Sequence, residues 1–195
     1  MKKFWHLFSP KKTKADPIYY IQVNTDIHLT PYRQSDKVNL IQHINDAEIK
    51  RNTLAIPHPY TEKDAEDWLK GTFQELEKFN TYANWVIRNK EDELIGCIGR
   101  QMLYGKNSHT DEVGYWLARP YWGQGIMTEV VKAFCDYWFE NSPLIRFSAA
   151  VFAYNGASAR VLEKAGFQKE GYLRQHYAKD GQFLDGILYA KLKNY

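Results

Sequence analysis

The sequence predicts a mixed α/β fold, with one mostly antiparallel sheet of six to seven strands flanked by about four helices. Three observations lead there. Apolar residues recur at period two in several short segments, as half-buried strands require. Helix-period segments with capping residues fall between them. Consecutive strands are often separated only by short polar turns, so they pair as hairpins and not as a parallel βαβ series. A length of 195 residues with 44% hydrophobic and 15% aromatic residues is enough for one domain with a real core.

The elements follow in order. Residues 1–20 read as a basic and aromatic extension, with Lys11–Lys14 between Pro10 and Pro17, and the domain proper runs over 21–195. Ile27–Thr30 is a short strand. Ser35-Asp36 offers an N-cap to a helix carrying Val38, Leu40, Ile41 and Ile44. Pro57 and Pro59 mark a turn. Thr61 with Asp64 reads as a capping box for a helix whose apolar face is Trp68, Leu69, Phe73 and Leu76. Trp85–Arg88 and Leu94–Met102 form a hairpin over the polar turn Asn89–Glu93. Glu112–Ala118 is the next strand. Ile126, Val130, Val131, Phe134, Tyr137 and Trp138 repeat at helical spacing until Pro143. Ile145–Phe152 is a strand and Asn155 opens a short helix, closed by Gly166 as its C′ residue. Phe167–Gln175 and Leu184–Leu192 pair around the turn Asp180-Gly181.

Composition excludes several functions. The net charge is +3, but residues 1–20 alone carry +4, which leaves the remaining 175 residues at −1. A near-neutral body lacks the footprint of a nucleic-acid binder. No stretch of 18 apolar residues is present to span a membrane. The short, His6-interrupted apolar start lacks a cleavage site and does not read as a signal peptide. A cytoplasmic protein is expected. Cys97 in an apolar strand and Cys135 on a helix read as core thiols, and no Cys/His cluster points to a metal.

The most informative segment runs from Val113 to Ile126. A strand ends, Pro120 breaks it, and Gly123 and Gly125 supply a turn that opens a helix. Such a turn leaves backbone N–H groups without partners at a helix N-terminus, where they hold a phosphate or pyrophosphate. Each bond to a charged oxygen contributes roughly 1.5–3 kcal/mol, and the helix dipole adds about 0.3–1 kcal/mol.

Two segments then resemble the GNAT N-acetyltransferase superfamily, in its RimJ/RimL-like (ribosomal-protein-alanine acetyltransferase-like) branch. That superfamily seats the acetyl-CoA pyrophosphate on a loop patterned Arg/Gln-x-x-Gly-x-Gly/Ala. Here the loop is Trp122-Gly123-Gln124-Gly125-Ile126-Met127, with Trp122 and Met127 departing from the pattern as that branch does. The second segment is Asn155-Gly156-Ala157-Ser158-Ala159-Arg160-Val161-Leu162-Glu163-Lys164-Ala165-Gly166-Phe167. The resemblance covers residues 25–193 and implies a GNAT fold with splayed central strands, where Glu112–Ala118 leaves Ile145–Phe152.

The resemblance also implies site residues. Backbone groups of Leu117 and Ala118 would bond pantetheine, and Trp122, Gly123, Gln124, Gly125, Ile126 and Met127 would surround the pyrophosphate. Asn155 would contact pantetheine, or serve simply as an N-cap. Many members use a tyrosine four residues before the Gly-Phe pair as the acid. That position is Leu162 here, so Ser158 becomes the candidate acid or thiolate stabiliser, its alternative being a helix-start hydrogen bonder. Glu112 is the candidate base, or a strand-end carboxylate, with His109 and His176 as rivals by residue type. Tyr60, Trp68 and Trp85 would wall the acceptor pocket.

The expected function is acetyl transfer from acetyl-CoA to a primary amine, foremost a protein or peptide N-terminal α-amine. An α-amine with a pKa near 8 is deprotonated at pH 7 for about 1 kcal/mol, against about 4.6 kcal/mol for a lysine amine. The alternatives are a small-molecule amine acceptor (polyamine, amino acid or antibiotic) and a non-catalytic acyl-CoA-binding module. A dinucleotide-binding protein is disfavoured by the missing third glycine. No metal, nucleic-acid or membrane partner is expected, and a homodimer is compatible with the sequence.

Overall fold

The structure, a computed structural model, describes residues 19–103, 105 and 107–194. The basic run of the expected extension lies outside the described residues, whose packing begins with Tyr19 edge-on to Tyr82 at 4.5 Å. The strands are β1 (Ile21–Gln22), β2 (His28–Thr30), β3 (Asn84–Arg88), β4 (Leu94–Arg100), β5 (Thr110–Leu117), β6 (Arg146–Phe152), β7 (Gln168–Lys179) and β8 (Gln182–Leu192). The helices are α1 (Lys37–Ile44), α2 (Ala47–Asn52), α3 (Glu62–Phe79), α4 (Ile126–Asn141) and α5 (Gly156–Lys164). They form one eight-stranded sheet in the order β1-β2-β3-β4-β5-β6-β8-β7. Every neighbouring pair is antiparallel except β5 with β6.

The described residues thus hold eight strands and five helices, one more of each than the sequence suggests. The added strand, β1, is two residues long, too short to display a period. The added helix, α2, has six residues and a single buried one, Ile49. It is held by its cap, since Asp46 Oδ1 accepts the Glu48 N–H at 2.7 Å. The Thr61–Asp64 capping box is present, with the Asp64 N–H donating to Thr61 Oγ1 at 3.3 Å and the Thr61 N–H to Asp64 Oδ2 at 2.7 Å.

The expected Ser35-Asp36 cap is corrected. Asp36 is buried and makes no side-chain cap bond to α1. Its carboxylate instead accepts two bonds from the Arg88 guanidinium, both at 2.9 Å. A buried guanidinium needs such a fork of acceptors more than an exposed helix end needs a cap.

The sheet is covered on both faces. One layer packs Trp85, Ile87, Val113, Phe134, Phe147 and Leu162 between the strands, α4 and α5. The other packs Leu40, Ile44, Ile49, Leu69, Val86 and Cys97 beneath α1, α2 and α3. Trp85 is fully buried, edge-on to Tyr137 at 5.4 Å and Trp138 at 6.5 Å.

The parallel pairing of β5 and β6 is short. It joins Thr110 to Arg146, Asp111 to Phe147 and Glu112 to Ser148, and then ends. Beyond that point β5 continues along β4 to Leu117 while β6 continues along β8 to Phe152. Below the fork lies a buried ion pair, Arg100 Nε to Asp111 Oδ2 at 2.9 Å, with the guanidinium 4.2 Å from the Trp138 ring centroid. Asp111 Oδ1 accepts the Glu112 N–H at 2.9 Å.

Candidate active site

Where β5 and β6 part, a cleft opens. The direction of its backbone groups follows from strand parity. In an antiparallel pair, alternate residues aim N–H and C=O at opposite edges. The Glu112 C=O accepts from Gln101 and the Ala118 N–H donates to Ile95, so even-numbered residues of β5 face β4. Tyr115 and Leu117 therefore turn their backbone groups toward β6, which has diverged after the last rung at Glu112 and Ser148. Ala118 is a correction to the sequence reading. Its N–H is taken by Ile95, its C=O accepts the Tyr121 N–H, and it lines neither cavity described below. The Leu117 C=O accepts the Trp122 indole N–H at 2.7 Å.

At the end of β5 the chain makes a short 3-10 turn, Arg119–Tyr121, and then the glycine turn. Gly123 has φ +75° and Gly125 φ +81°, the left-handed region, with nothing within 4 Å of a Cβ placed at either. Gly125 caps α4. Its carbonyl accepts from Thr128 at 3.0 Å and Glu129 at 3.3 Å, so the amides that precede them start the helix without intrahelical partners. The Gln124 side chain points back to the Pro120 carbonyl at 2.9 Å.

A cavity of about 450 Å³ lies over this turn. Trp122, Gly123, Gly125, Ile126 and Met127 line it, and Arg160 and Lys164 of α5 supply its cations. A second cavity, of about 770 Å³, continues past Tyr115 toward α3 and the β7–β8 hairpin. Tyr115, Trp116, Asn155 and Ser158 line both, so the two meet at the fork.

Asn155 Oδ1 accepts the Ser158 N–H at 3.1 Å, so Asn155 is an N-cap that also lines the cleft. Ser158 Oγ lies 2.9 Å from the Tyr115 hydroxyl. Burial pushes the Tyr115 phenol well above its ordinary value. Tyr115 went unnoticed in the sequence because its apolar parity with Val113 and Leu117 reads as core, and no local signal marks a strand residue that reaches a helix start.

Glu112 sits at the fork and lines the second cavity. Burial raises its carboxyl above the usual carboxylate value, opposed by the nearby His176 and by the Ala150 N–H it accepts. Tyr177, lining the same cavity, is pushed up to about 12 by burial and by Glu112. His109 is exposed and lines neither cavity. Tyr60 and Trp68 line the second cavity. Trp85 does not, and its place in the wall is withdrawn: it is a core residue of the opposite layer. Cys97 and Cys135 are buried free thiols, each pushed up to about 12 by burial. Among the described residues no group of His, Cys, Asp or Glu is placed to hold a metal, and no helix is long and apolar enough to cross a membrane.

The cavity roof is tied down at one more point. Lys179 of β7 donates to the α2-end carbonyls of Lys50, Arg51 (3.0 Å) and Thr53 (2.5 Å). Asn52 and Thr53, which line both cavities, are thereby held against the hairpin.

Comparison with known proteins agrees with this architecture. The family described as "Acetyltransferase (GNAT) domain" matches residues 26–168. The uncharacterized N-acetyltransferase YoaA of Bacillus subtilis is 37% identical over 63% of this chain and 69% of its own length. The ribosomal-protein-serine acetyltransferase of Escherichia coli is 34% identical over 57% of this chain and 60% of its own length. A Mycobacterium smegmatis RimJ structure in complex with CoA-disulfide superposes with a TM-score of 0.74 at 23% identity, covering 85% of this chain and 81% of that one, a likeness of fold. With most of its length inside that one domain description and a relative of 37% identity covered over more than two thirds of its length, the chain belongs to the GNAT acetyltransferase family and is an acetyl-CoA-dependent N-acetyltransferase.

Proposed function

We propose that the chain transfers the acetyl group of acetyl-CoA to a protein or peptide N-terminal α-amine, with the donor in the first cavity and the acceptor in the second. The observation that carries this reading is the β5–β6 ladder ending at Glu112 and Ser148, directly upstream of a glycine turn that opens α4. The named relative that acts on a ribosomal-protein serine supports the acceptor class.

The residues divide the work. The amides of Gly123, Gln124, Gly125, Ile126 and Met127 hold the pyrophosphate, with Arg160 and Lys164 beside it. The cleft-facing backbone of Tyr115 and the Leu117 N–H bind the pantetheine arm as an added strand and polarise the thioester carbonyl. Glu112 takes the proton of the attacking amine. An α-amine at pH 7 costs only about 1 kcal/mol to deprotonate, so a carboxylate with a raised pKa suffices. Ser158 donates a hydrogen bond to the departing thiolate. Tyr115 shares a hydrogen bond with Ser158 Oγ at 2.9 Å and holds the serine hydroxyl at the junction where the thiolate departs.

The test is an acetyl-CoA consumption assay with thiol release, run over N-terminal peptides and small amines. Turnover on peptides with a free α-amine is expected. Coenzyme A binding without turnover on any amine would instead assign a non-catalytic module.

A further inference from the structure

The two cavities that meet at Tyr115 and Ser158 carry opposite charge. Arg160 and Lys164 line the first, and no carboxylate does among the described residues. Asp64, Asp67 and Glu112 line the second, and no lysine, arginine or histidine does among the described residues. A polyanionic donor suits the first. The second is built for positive charge.

Its far end has the matching chemistry. Tyr32, Tyr60 and Trp68 form an aromatic wall there, with Tyr32 edge-on to Trp68 at 6.3 Å. Asp64 and Asp67 stand three residues apart on α3, hence on one face. The Tyr32 hydroxyl is buried beside the Cys97 thiol and the Trp68 indole, yet among the described residues no partner reaches hydrogen-bond geometry with it. A buried hydroxyl without a partner is costly, and it offers lone pairs to a bound donor. Carboxylates, a phenol oxygen and aromatic faces together bind an ammonium or guanidinium. Asp64 bonds the Thr61 N–H and hydroxyl, and Asp67 faces Lys63 at 3.1 Å, all through Oδ2. Among the described residues no hydrogen bond reaches Oδ1 of either carboxylate, which leaves that oxygen for a ligand.

We infer that the acceptor carries a second cationic group besides the amine that is acetylated, seated against Asp64, Asp67 and the Tyr32–Tyr60–Trp68 wall while the reacting nitrogen lies at Glu112. This rests on the assignment of donor and acceptor cavities made under Proposed function. A lysine or arginine following a peptide N-terminus and the far nitrogen of a linear diamine share this chemistry.

The experiment compares matched acceptors by kcat/KM: Ser-Ala-Lys-Ala, Ser-Ala-norleucine-Ala and Ser-Ala-Glu-Ala, and 1,4-diaminobutane against butylamine. The cationic member of a pair is expected to win by about tenfold or more. Asp67→Asn, on an exposed helix position, is expected to cut that ratio about fivefold with the melting temperature retained. Asp64→Asn adds loss of the α3 cap, so its ratio is read only beside its melting curve. The pair with the larger ratio identifies the source of the cation. Equal rates within each pair, a ratio unmoved by Asp67→Asn, or coenzyme A binding with no turnover of any cationic acceptor overturns the inference. Absence of coenzyme A binding, measured by calorimetry on the same preparation, overturns the underlying donor assignment instead.

Discussion

The phenol oxygen of Tyr115 lies 2.9 Å from the hydroxyl oxygen of Ser158, and so a strand residue and a helix-start residue share one hydrogen bond at the junction of the two cavities. If this pair serves the leaving thiolate as a unit, its losses do not add. Ser158→Ala is expected to lower kcat about tenfold to a hundredfold. Tyr115→Phe is expected to lower it about threefold to tenfold, the worth of one hydrogen bond. The double variant should be no slower than Ser158→Ala alone. Initial rates at saturating acetyl-CoA check this, and additive losses would assign the two residues separate roles.

Gly125 holds a left-handed conformation at the start of α4. Gly125→Leu puts a side chain where L residues are strained, at a cost of about 1–2 kcal/mol, and into the open space over the turn. Coenzyme A binding should disappear from calorimetric titrations while far-UV circular dichroism stays native. Unchanged affinity would move the pyrophosphate off this turn.

The Glu112 carboxyl titrates above the usual carboxylate value, chiefly because it is buried. Its folded form therefore holds a proton more tightly than the unfolded chain does. The stability it contributes is full below the ordinary glutamate pKa and is lost as pH rises through the raised value. Glu112→Gln should raise stability at neutral pH while lowering kcat/KM and removing the acidic limb of its pH profile. An acidic limb that survives in the variant would place the base elsewhere.

Arg100 and Asp111 pair in the core beneath the fork, each side chain about 1% exposed. Asp111→Ala leaves a buried guanidinium without its counter-charge, which costs about 3–5 kcal/mol. Denaturant unfolding measures it. Because Asp111 also accepts the Glu112 N–H, the same variant should depress activity under conditions where it remains folded.

Much of this was legible in the residues alone. The glycine turn, the Thr61–Asp64 box and the Asp180-Gly181 hairpin are local devices, set by backbone conformation and by hydrogen bonds within four residues. What escaped depends on distant partners. Trp85 and Trp68 look alike in sequence, yet one is sealed against Trp138 and the other is 40% exposed on the cavity wall. Ala118 failed as a pantetheine contact because strand parity turns it to β4, which only the register reveals. Asp36 looks like a helix cap in the sequence because its guanidinium partner, Arg88, stands 52 positions away.

Strand order has a last consequence. β8 lies between β6 and β7, although it is the latest of the three to be synthesised. On a translating ribosome β6 and β7 have no edge to share until residues 182–192 emerge, so this half of the sheet must wait exposed for its middle strand. Growing chains halted before Gln182 should accordingly be protease-sensitive and prone to associate through those open edges.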